Sequence, residues 1–324
     1  MNKFFKDNKT FLIAEAGNNH EGSMHYARKL IDAASEAGAD AIKFQTFITE
    51  KFISKKEKKR FKMLKRFELS HEEFYSLWKY SRKKKIIFFS TPFDSKSALF
   101  LNKFVKIFKI ASSDNNNLPL IEEILKFNKK TIISTGMLKN NEIRSLYNFI
   151  IKKTNKNNLG FAHCISNYPA EYHDVNIKQI LYLKKKYPID IGYSDHSIGI
   201  SAPLAAVTLG APFVEKHFTL DNNFSKFRDH QLSLNPKDFK RMVLEIRNTE
   251  NINIFISDKR NDLKNKHSLR RSLYVNRDIN IGDYIDKYNT DLLRPNTKNT
   301  NSNFIKFKKR KSRKFHKKDT EIKI

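Results

Sequence analysis

The feature that most limits what this 324-residue chain can become is a regular alternation. From Phe11 onward a short apolar run is followed by an amphipathic stretch, and the pair repeats eight times. The apolar runs are four to seven residues long, too short for helices, and read as parallel strands buried on both faces. The stretches between them place apolar residues at i, i+3, i+4 and i+7, the period of a helix with one buried face. Eight β-α units in roughly 240 residues match the count and size of a (β/α)8 TIM barrel. An open doubly wound sheet is the alternative. It usually has about five to seven strands and a Gly-rich phosphate loop, and neither GxGxxG nor GxxxxGK[ST] occurs in this sequence.

The strands are expected at Phe11–Ala14, Ala41–Thr46, Ile86–Ser90, Val105–Ala111, Thr131–Ser134, Leu159–Cys164, Ile189–Tyr193 and Phe213–Lys216. Ala27, Leu30, Ile31 and Ala34 form the inner stripe of the first helix, and Gly38 stops it. Ser54–Arg66 is charge-rich and reads as a loop with a short helix. Ser70, with Glu73 three residues on, offers a capping box to a helix whose stripe is Phe74, Leu77, Trp78 and Ser81. Asp94 and Ser95 can cap Lys96–Asn102. Later helices are marked by Leu118–Phe127, by Ile143, Leu146, Tyr147 and Ile150, by Ile177, Ile180 and Leu181, and by Ala202–Leu209. Pro236 opens the last one, with Phe239, Val243 and Ile246 inward. The pattern then changes. Residues 1–250 form the barrel domain, 251–266 a polar aperiodic linker, and 267–324 a small β-rich module with a basic C-terminal tail. In that module Ser272–Val275 is strand-like, Asp278–Gly282 a turn, and Tyr288–Leu293 leads into Arg294-Pro295.

Composition excludes several classes. No run of 18 apolar residues exists, so no segment is expected to span a membrane. The apolar stretch near the N-terminus is too short for a signal peptide. Cys164 is the only cysteine, so no intrachain disulfide can form and a cytoplasmic setting is expected. The formal net charge of +29 raises the question of nucleic acid. Residues 298–324 hold eleven Lys/Arg against two Asp/Glu, but the remaining excess is spread over almost every predicted helix. No zinc-finger spacing, ribonucleoprotein aromatic motif or basic zipper appears. The charge therefore reads as a property of exposed positions, and no nucleic-acid partner is expected.

The chemistry gathers where strands end, which in a parallel barrel is where ligands bind. Glu15, Asn18, Asn19, His20 and Glu21 follow the first strand. Lys43 and Gln45 lie inside the second and share a face, and Lys109 lies inside the fourth. A buried lysine needs a partner or an anionic ligand, so a phosphate or carboxylate is the natural occupant. Ser112, Ser134 and Ser194 each end a strand and offer hydroxyls. His196 and His217 close the seventh and eighth strands, neighbours in a barrel. Their imidazoles could hold one divalent metal with water and substrate completing its sphere, with Asp195 and Glu215 as supporting partners.

The motifs IAEAGNNHEGS, AIKFQTF, FFSTPFD, FKIASSD, ISTGM, HCISNYPA, GYSDHSIG, VEKHFT and DHQLSLNP run in order from Phe11 to Pro236. Together they resemble the N-acetylneuraminate (sialic acid) synthase family of nonulosonic acid synthases. The later SLYVNRDINIGDYIDKYNTDLLRP resembles that family's antifreeze-like SAF domain. The resemblance implies a transferase that condenses phosphoenolpyruvate with the open-chain aldehyde of an N-acetylated amino sugar, N-acetylmannosamine or a 2,4-diacetamido relative. C3 of the enol attacks the aldehyde carbon, water adds to C2, and phosphate leaves. By resemblance, phosphoenolpyruvate would lie on Lys43, Lys109, Ser112, Ser134, Ser166 and Ser194. The sugar would meet Gln45, Thr91, Phe93, Tyr168, Asp229 and Arg294. Asp114, Glu21 and Lys109 would serve catalysis, Asp114 by activating or orienting water. His196 and His217 would hold Mn2+ or Mg2+ as a Lewis acid for the aldehyde. Arg294 would reach the partner subunit's site, which implies a domain-swapped homodimer.

Three departures from the family pattern stand out. Arg294-Pro295-Asn296-Thr297-Lys298 replaces RPGTG, where Asn296 could adopt a left-handed turn in place of glycine. Ser166 stands where some members have Asn, and Asp114 is one methylene shorter than the Glu some members use. A reading of another class is a basic protein on a degenerate barrel that grips a polyanion with Lys308–Lys318. Phosphate release requiring both substrates would separate the two.

Overall fold

The computed structural model describes residue 5 and residues 9–254, 265–296 and 309–322. The chain divides into two compact units, Met1–Asn253 and Ile254–Ile324.

The first unit is a closed barrel of eight parallel strands in chain order. They are β1 (Phe11–Gly17), β2 (Ala41–Thr46), β3 (Ile87–Pro92), β4 (Ile107–Ile110), β5 (Lys130–Ser134), β6 (Leu159–His163), β7 (Asp190–Asp195) and β8 (Phe213–His217). Phe11 pairs with Phe213 and Glu15 with His217 where β8 closes onto β1. Three strands run beyond their apolar cores. β1 continues through Glu15, β7 through Ser194 and Asp195, and β8 through His217. Hydrophobicity stops before the ladder does because the last rungs carry polar groups. β4 is shorter than expected, without Val105, Lys106 and Ala111.

Alternation along each strand sorts side chains into two layers. Leu12, Ile42, Phe88, Phe108, Ile133, Phe161, Ile191 and Val214 join the large core shared with the helices. Ile13, Ala41, Phe89, Ile107, Ile132, Ala162 and Phe213 form a second cluster, closed by Phe5. The Phe5 ring lies 4.9 Å from that of Phe213. One end of the lumen is thus filled by apolar side chains, which leaves the other end for chemistry.

The surrounding helices are α1 (Met24–Glu36), α2 (Thr49–Phe52), α3 (Lys58–Phe67), α4 (His71–Lys83), α5 (Ser95–Asn102), α6 (Leu118–Lys126), α7 (Asn140–Ile150), α8 (Gln179–Lys186), α9 (Ser201–Thr208), α10 (Arg228–Leu232) and α11 (Pro236–Ile252). The Ser70–Glu73 capping box forms at the start of α4, and Asp94 caps α5 by accepting from the Ser97 amide at 2.9 Å. The charged stretch Ser54–Arg66 holds one helix, α3, as expected, which buries only Leu64 and Phe67, and the short α2 precedes it. In α8 the buried residues are Ile180 and Leu183, whereas Leu181 is exposed. Ile177 precedes that helix, so a stripe counted from it takes the wrong phase. In α11 Met242 is fully buried, and Val243 is only packed against the core. That helix runs to Ile252, two residues past the expected barrel boundary, and residues 255–264 of the expected linker lie outside the described residues.

The second unit holds a three-stranded antiparallel sheet. In it β9 (Ser272–Val275) lies between β11 (Thr290–Leu293) and β13 (Glu321–Ile322), while β10 (Tyr284–Ile285) pairs with β12 (Arg310–Lys311). Leu273, Val275, Ile279, Ile285 and Ile322 form its core. The basic C-terminal stretch is therefore no tail over residues 309–322, since it supplies β12 and β13. Strands of two residues leave no periodic trace in a sequence.

Candidate active site

Above the apolar floor four strands place a charged group at the next inward position: Glu15 on β1, Lys43 on β2, Lys109 on β4 and Glu215 on β8, each under 5 % exposed. Each lies two residues beyond a floor residue of its own strand (Ile13, Ala41, Ile107, Phe213), so the same alternation that fills the floor stacks the charges on it. Lys43 Nζ lies 2.7 Å from Glu15 and 3.7 Å from Glu215. Lys109 Nζ lies 3.3 Å from Glu215. Ser194 donates to the same Glu215 oxygen at 3.0 Å, and Lys43 donates to Thr91 Oγ1 at 3.2 Å. Gln45 joins the group through Glu15 (3.4 Å) and accepts from Asn18 (2.9 Å).

Two lysines and two carboxylates balance in number, yet the carboxylates are not equivalent. Burial pushes Glu15 up to about 7, with Lys43 opposing and Glu215 adding to the rise. Burial also opposes charge on Glu215, but Lys109 and Lys43 outweigh it and hold that group down at about 2. Burial pulls the Lys43 ammonium down as well, and the two glutamates more than offset it, so Lys43 stays charged. Like charges sharing one lysine thus separate into a firm anion and a carboxyl able to hold a proton near neutrality.

The rim where β7 and β8 end holds the histidines. The His196 and His217 rings lie 5.4 Å apart, and Tyr168 stacks on His196 at 4.2 Å. Burial lowers His196 to about 4 and pushes His217 well below the ordinary imidazole range, with His196 adding to the latter shift. Both rings are neutral at pH 7, the form that ligates a metal. His196 Nδ1 bonds the Ile165 carbonyl at 2.5 Å, which leaves its Nε2 with the lone pair. His217 Nδ1 is buried with no hydrogen-bond partner. An orphaned, neutral imidazole nitrogen beside a second neutral histidine fits a divalent cation. Among the described residues no group of three His, Cys, Asp or Glu gathers as a ligand set, so water and substrate would complete the sphere. The expected support from Asp195 and Glu215 takes another form. Glu215 faces the lysines, and Asp195 faces the opposite side of the sheet, bonded to Lys216, Tyr193 and Ser197.

The loops after β4, β5 and β6 meet at Gly136. A Cβ built on Gly136 would collide with Ser166 Oγ and lie 2.6 Å from Ser112 Oγ and 2.8 Å from Cys164 Sγ, so only glycine lets these groups converge. Asn115 ties two of the loops by donating to the Ser134 and Gly136 carbonyls at 3.2 and 2.9 Å. Ser134 is buried at the end of β5. Asp114 sits at the turn beside Ser113, whose hydroxyl it accepts at 2.8 Å.

Other expected site residues make different contacts. Glu21 is engaged by Ser225, by Arg66 at 3.0 Å and by His230 at 3.5 Å, so it braces loops, and the carboxylates brought to the lysines are Glu15 and Glu215. The signal for Glu15 is the alternation Phe11, Ile13, Glu15, which a strand ended at Ala14 cuts short. Phe93 packs in an apolar cluster with Phe47 and Leu64, its ring 4.2 Å from that of Phe52. Burial raises Asp229, with Arg228 opposing at 3.5 Å. The Arg228 guanidinium lies over the Tyr168 ring at 4.6 Å. Arg294 is exposed in the second unit, directly after β11. Asn296 does not use the left-handed conformation open to it. It is buried and donates to the Arg271 carbonyl at 3.3 Å, while Thr297 and Lys298 lie outside the described residues.

Comparison with known proteins identifies the family. Residues 30–254 match the model of the NeuB family. The chain is 39 % identical over 304 residues to an N,N'-diacetyllegionaminic acid synthase of Campylobacter jejuni, covering 89 % of this chain and 91 % of the relative. It is 36 % identical over 313 residues to a pseudaminic acid synthase of the same organism, covering 91 % and 90 %. The crystal structure of an N-acetylneuraminic acid (sialic acid) synthetase from Leptospira borgpetersenii, in complex with citrate, superposes with a TM-score of 0.75 at 36 % identity, covering 81 % and 93 %. A barrel with its lysine–glutamate layer and paired histidines at the strand ends, and relatives matched over nine-tenths of the chain, place this protein in the NeuB family.

Proposed function

We propose that the protein is a nonulosonic acid synthase that condenses phosphoenolpyruvate with an N-acetylated amino sugar, releasing phosphate. The observation that carries this reading is the charge layer. Two buried lysines face the mouth of a barrel whose relatives are named as acid synthases. A trianionic donor is drawn to Lys43 and Lys109. The hydroxyls of Ser112 and Ser166 around Gly136, with Ser134 and Ser194, supply further donors. Gln45, Tyr168 and Asp229 are the polar groups offered to the sugar, and Asp114 at the rim would orient the attacking water. His196 and His217 would hold Mn2+ or Mg2+, which when bound supplies Lewis acidity to the acceptor carbonyl. Tyr168 stacked on His196, and the Ile165 carbonyl on its Nδ1, hold that ring in one orientation. On the same resemblance we read the protein as a homodimer in which Arg294 serves the partner's site.

The test is phosphate release by purified protein. It should require phosphoenolpyruvate, a divalent metal and one of three acceptors: N-acetylmannosamine or the 2,4-diacetamido precursor of legionaminic or of pseudaminic acid. Chelation should abolish it and Mn2+ restore it, while His217→Ala should lose metal affinity and turnover together. Turnover in metal-free buffer would refute the role of the histidines, and release without any acceptor would refute the condensation.

A further inference from the structure

Behind the two histidines lies a second pair of charges that the proposed chemistry does not use. Lys216 and Asp195 are adjacent in the β7–β8 register, and their side chains point away from the lumen and are both 0 % exposed. Lys216 Nζ lies 2.5 Å from Asp195 Oδ2 and also bonds the Ser197 carbonyl. Asp195 Oδ1 accepts from Tyr193 Oη at 2.8 Å, from the Ser197 amide at 3.0 Å and from the Ser197 hydroxyl at 2.8 Å. A single carboxylate and a single ammonium thus hold both sides of residue 196, and each immediately precedes a histidine of the rim.

A buried ion pair is a costly way to fill space. Apolar residues of similar volume do so as well or better for stability alone. What the pair supplies is direction, because charged hydrogen bonds are short and fix their partners. Lys216 pulls the Ser197 carbonyl toward β8, and Asp195 pulls the Ser197 amide back toward β7. Between these anchors residue 196 has little freedom, and its ring is set further by Ile165. His217 follows Lys216 in the same strand, so one brace fixes the separation of the two rings.

We infer that Lys216 and Asp195 are positioning residues that hold His196 and His217 at the spacing a divalent metal requires. The inference rests on the metal reading above and adds the means by which the site is made rigid.

The decisive variant is the full-length double substitution Lys216→Met with Asp195→Asn, which removes both charges at nearly constant volume and strands neither. Mn2+ binding is read by the free-ion electron paramagnetic resonance signal, phosphoenolpyruvate binding by calorimetry without metal, and folding by circular dichroism and melting. The double variant should fold, keep phosphoenolpyruvate affinity within about twofold, and lose Mn2+ affinity at least about tenfold. Lys216→Met alone leaves Asp195 buried without its partner and should lose stability as well. If the parent binds Mn2+, His217→Ala does not, and the double variant binds like the parent, the brace is refuted while the metal reading stands. If His217→Ala binds Mn2+ like the parent, the metal reading has failed. A double variant that does not fold also overturns the inference, since the pair would then hold the barrel rather than the histidines.

Discussion

The two ends of the barrel lumen are built by one rule and do opposite work. At the floor, Ile13, Ala41, Ile107 and Phe213 pack against Phe5 and exclude water. One step along the same strands, Glu15, Lys43, Lys109 and Glu215 place four ionisable groups in contact at equal depth. The floor is stable without help, since apolar burial stabilises by about 25 cal/mol per Å2. The mouth bears desolvated charges that only each other, or a ligand, can offset. The difference teaches where binding energy is stored: a charge layer on an incompressible floor cannot relax away from a substrate by moving inward.

The sharpest way to break that contrast is at Lys109. Lys109→Met keeps the stem volume and leaves Glu215 without its nearest ammonium. Phosphoenolpyruvate affinity should fall by roughly 3–5 kcal/mol, more than a hundredfold, as for one partner stripped from a buried charge pair. Calorimetric titration gives the number, and an unchanged affinity would remove Lys109 from the donor site. The matching change at the floor is Phe213→Ala. Its ring fits against Gly192, where a Cβ would lie 2.5 Å from the ring. Removing it should cost about 3–5 kcal/mol of stability and lower the melting temperature on the order of 10 °C. The Michaelis constant for phosphoenolpyruvate should stay put when assayed well below the melt. If it rose as much as for Lys109→Met, floor and mouth would not be separable.

Most of this division is legible in the sequence. Apolar runs and helical stripes locate eight units, and Lys43, Lys109, His196 and His217 stand out because their residue types are foreign to buried strands. What is not legible follows from the same physics. The apolar run of β1 ends before the strand does, so Glu15 reads as loop. The side of the sheet that Asp195 faces depends on register, which no local pattern records, and its bond to Lys216 spans 21 residues. Cys164 and Asn115 draw meaning only from loops that meet at Gly136. In the second unit the two-residue strands β12 and β13 are fixed by pairing with distant partners, so their sequence reads as a charged tail.

A weaker effect asks whether the mouth is complete within one barrel. If Arg294 contacts sugar on the partner subunit, Arg294→Ala should raise the Michaelis constant for sugar about ten- to a hundredfold. That corresponds to a charged hydrogen bond of ~1.5–3 kcal/mol, and the constant for phosphoenolpyruvate should barely move. Mixing Arg294→Ala with His217→Ala subunits makes dimers with one intact site, so activity should partly recover. Mixed dimers confirmed by mass but still inactive would leave Arg294 serving its own subunit or none.

The smallest effect concerns the inequality between the two carboxylates of the mouth, and it is read without substrate. Glu15 is raised from its ordinary 4.5 to about 7. Between those values the folded protein holds a proton there that the unfolded chain has released. Stability from this group is therefore complete below about pH 4.5 and is lost as pH rises through about 7. Glu215, held down at about 2, has the opposite sign, and its contribution is present above 4.5 and fades as pH falls toward 2. The buried, neutral His20 and His196 also favour the folded state more as pH rises toward 6.5, so the raw slope mixes terms. The difference between parent and Glu15→Gln isolates one of them. Gln keeps the volume and cannot titrate, so the variant should gain stability relative to the parent as pH goes from 5 to 8, and the gain should level off above 8. A difference that stays flat over that range would mean Glu15 is ionised throughout. The charge layer would then meet phosphoenolpyruvate with both carboxylates negative, and the lysines alone would have to overcome them.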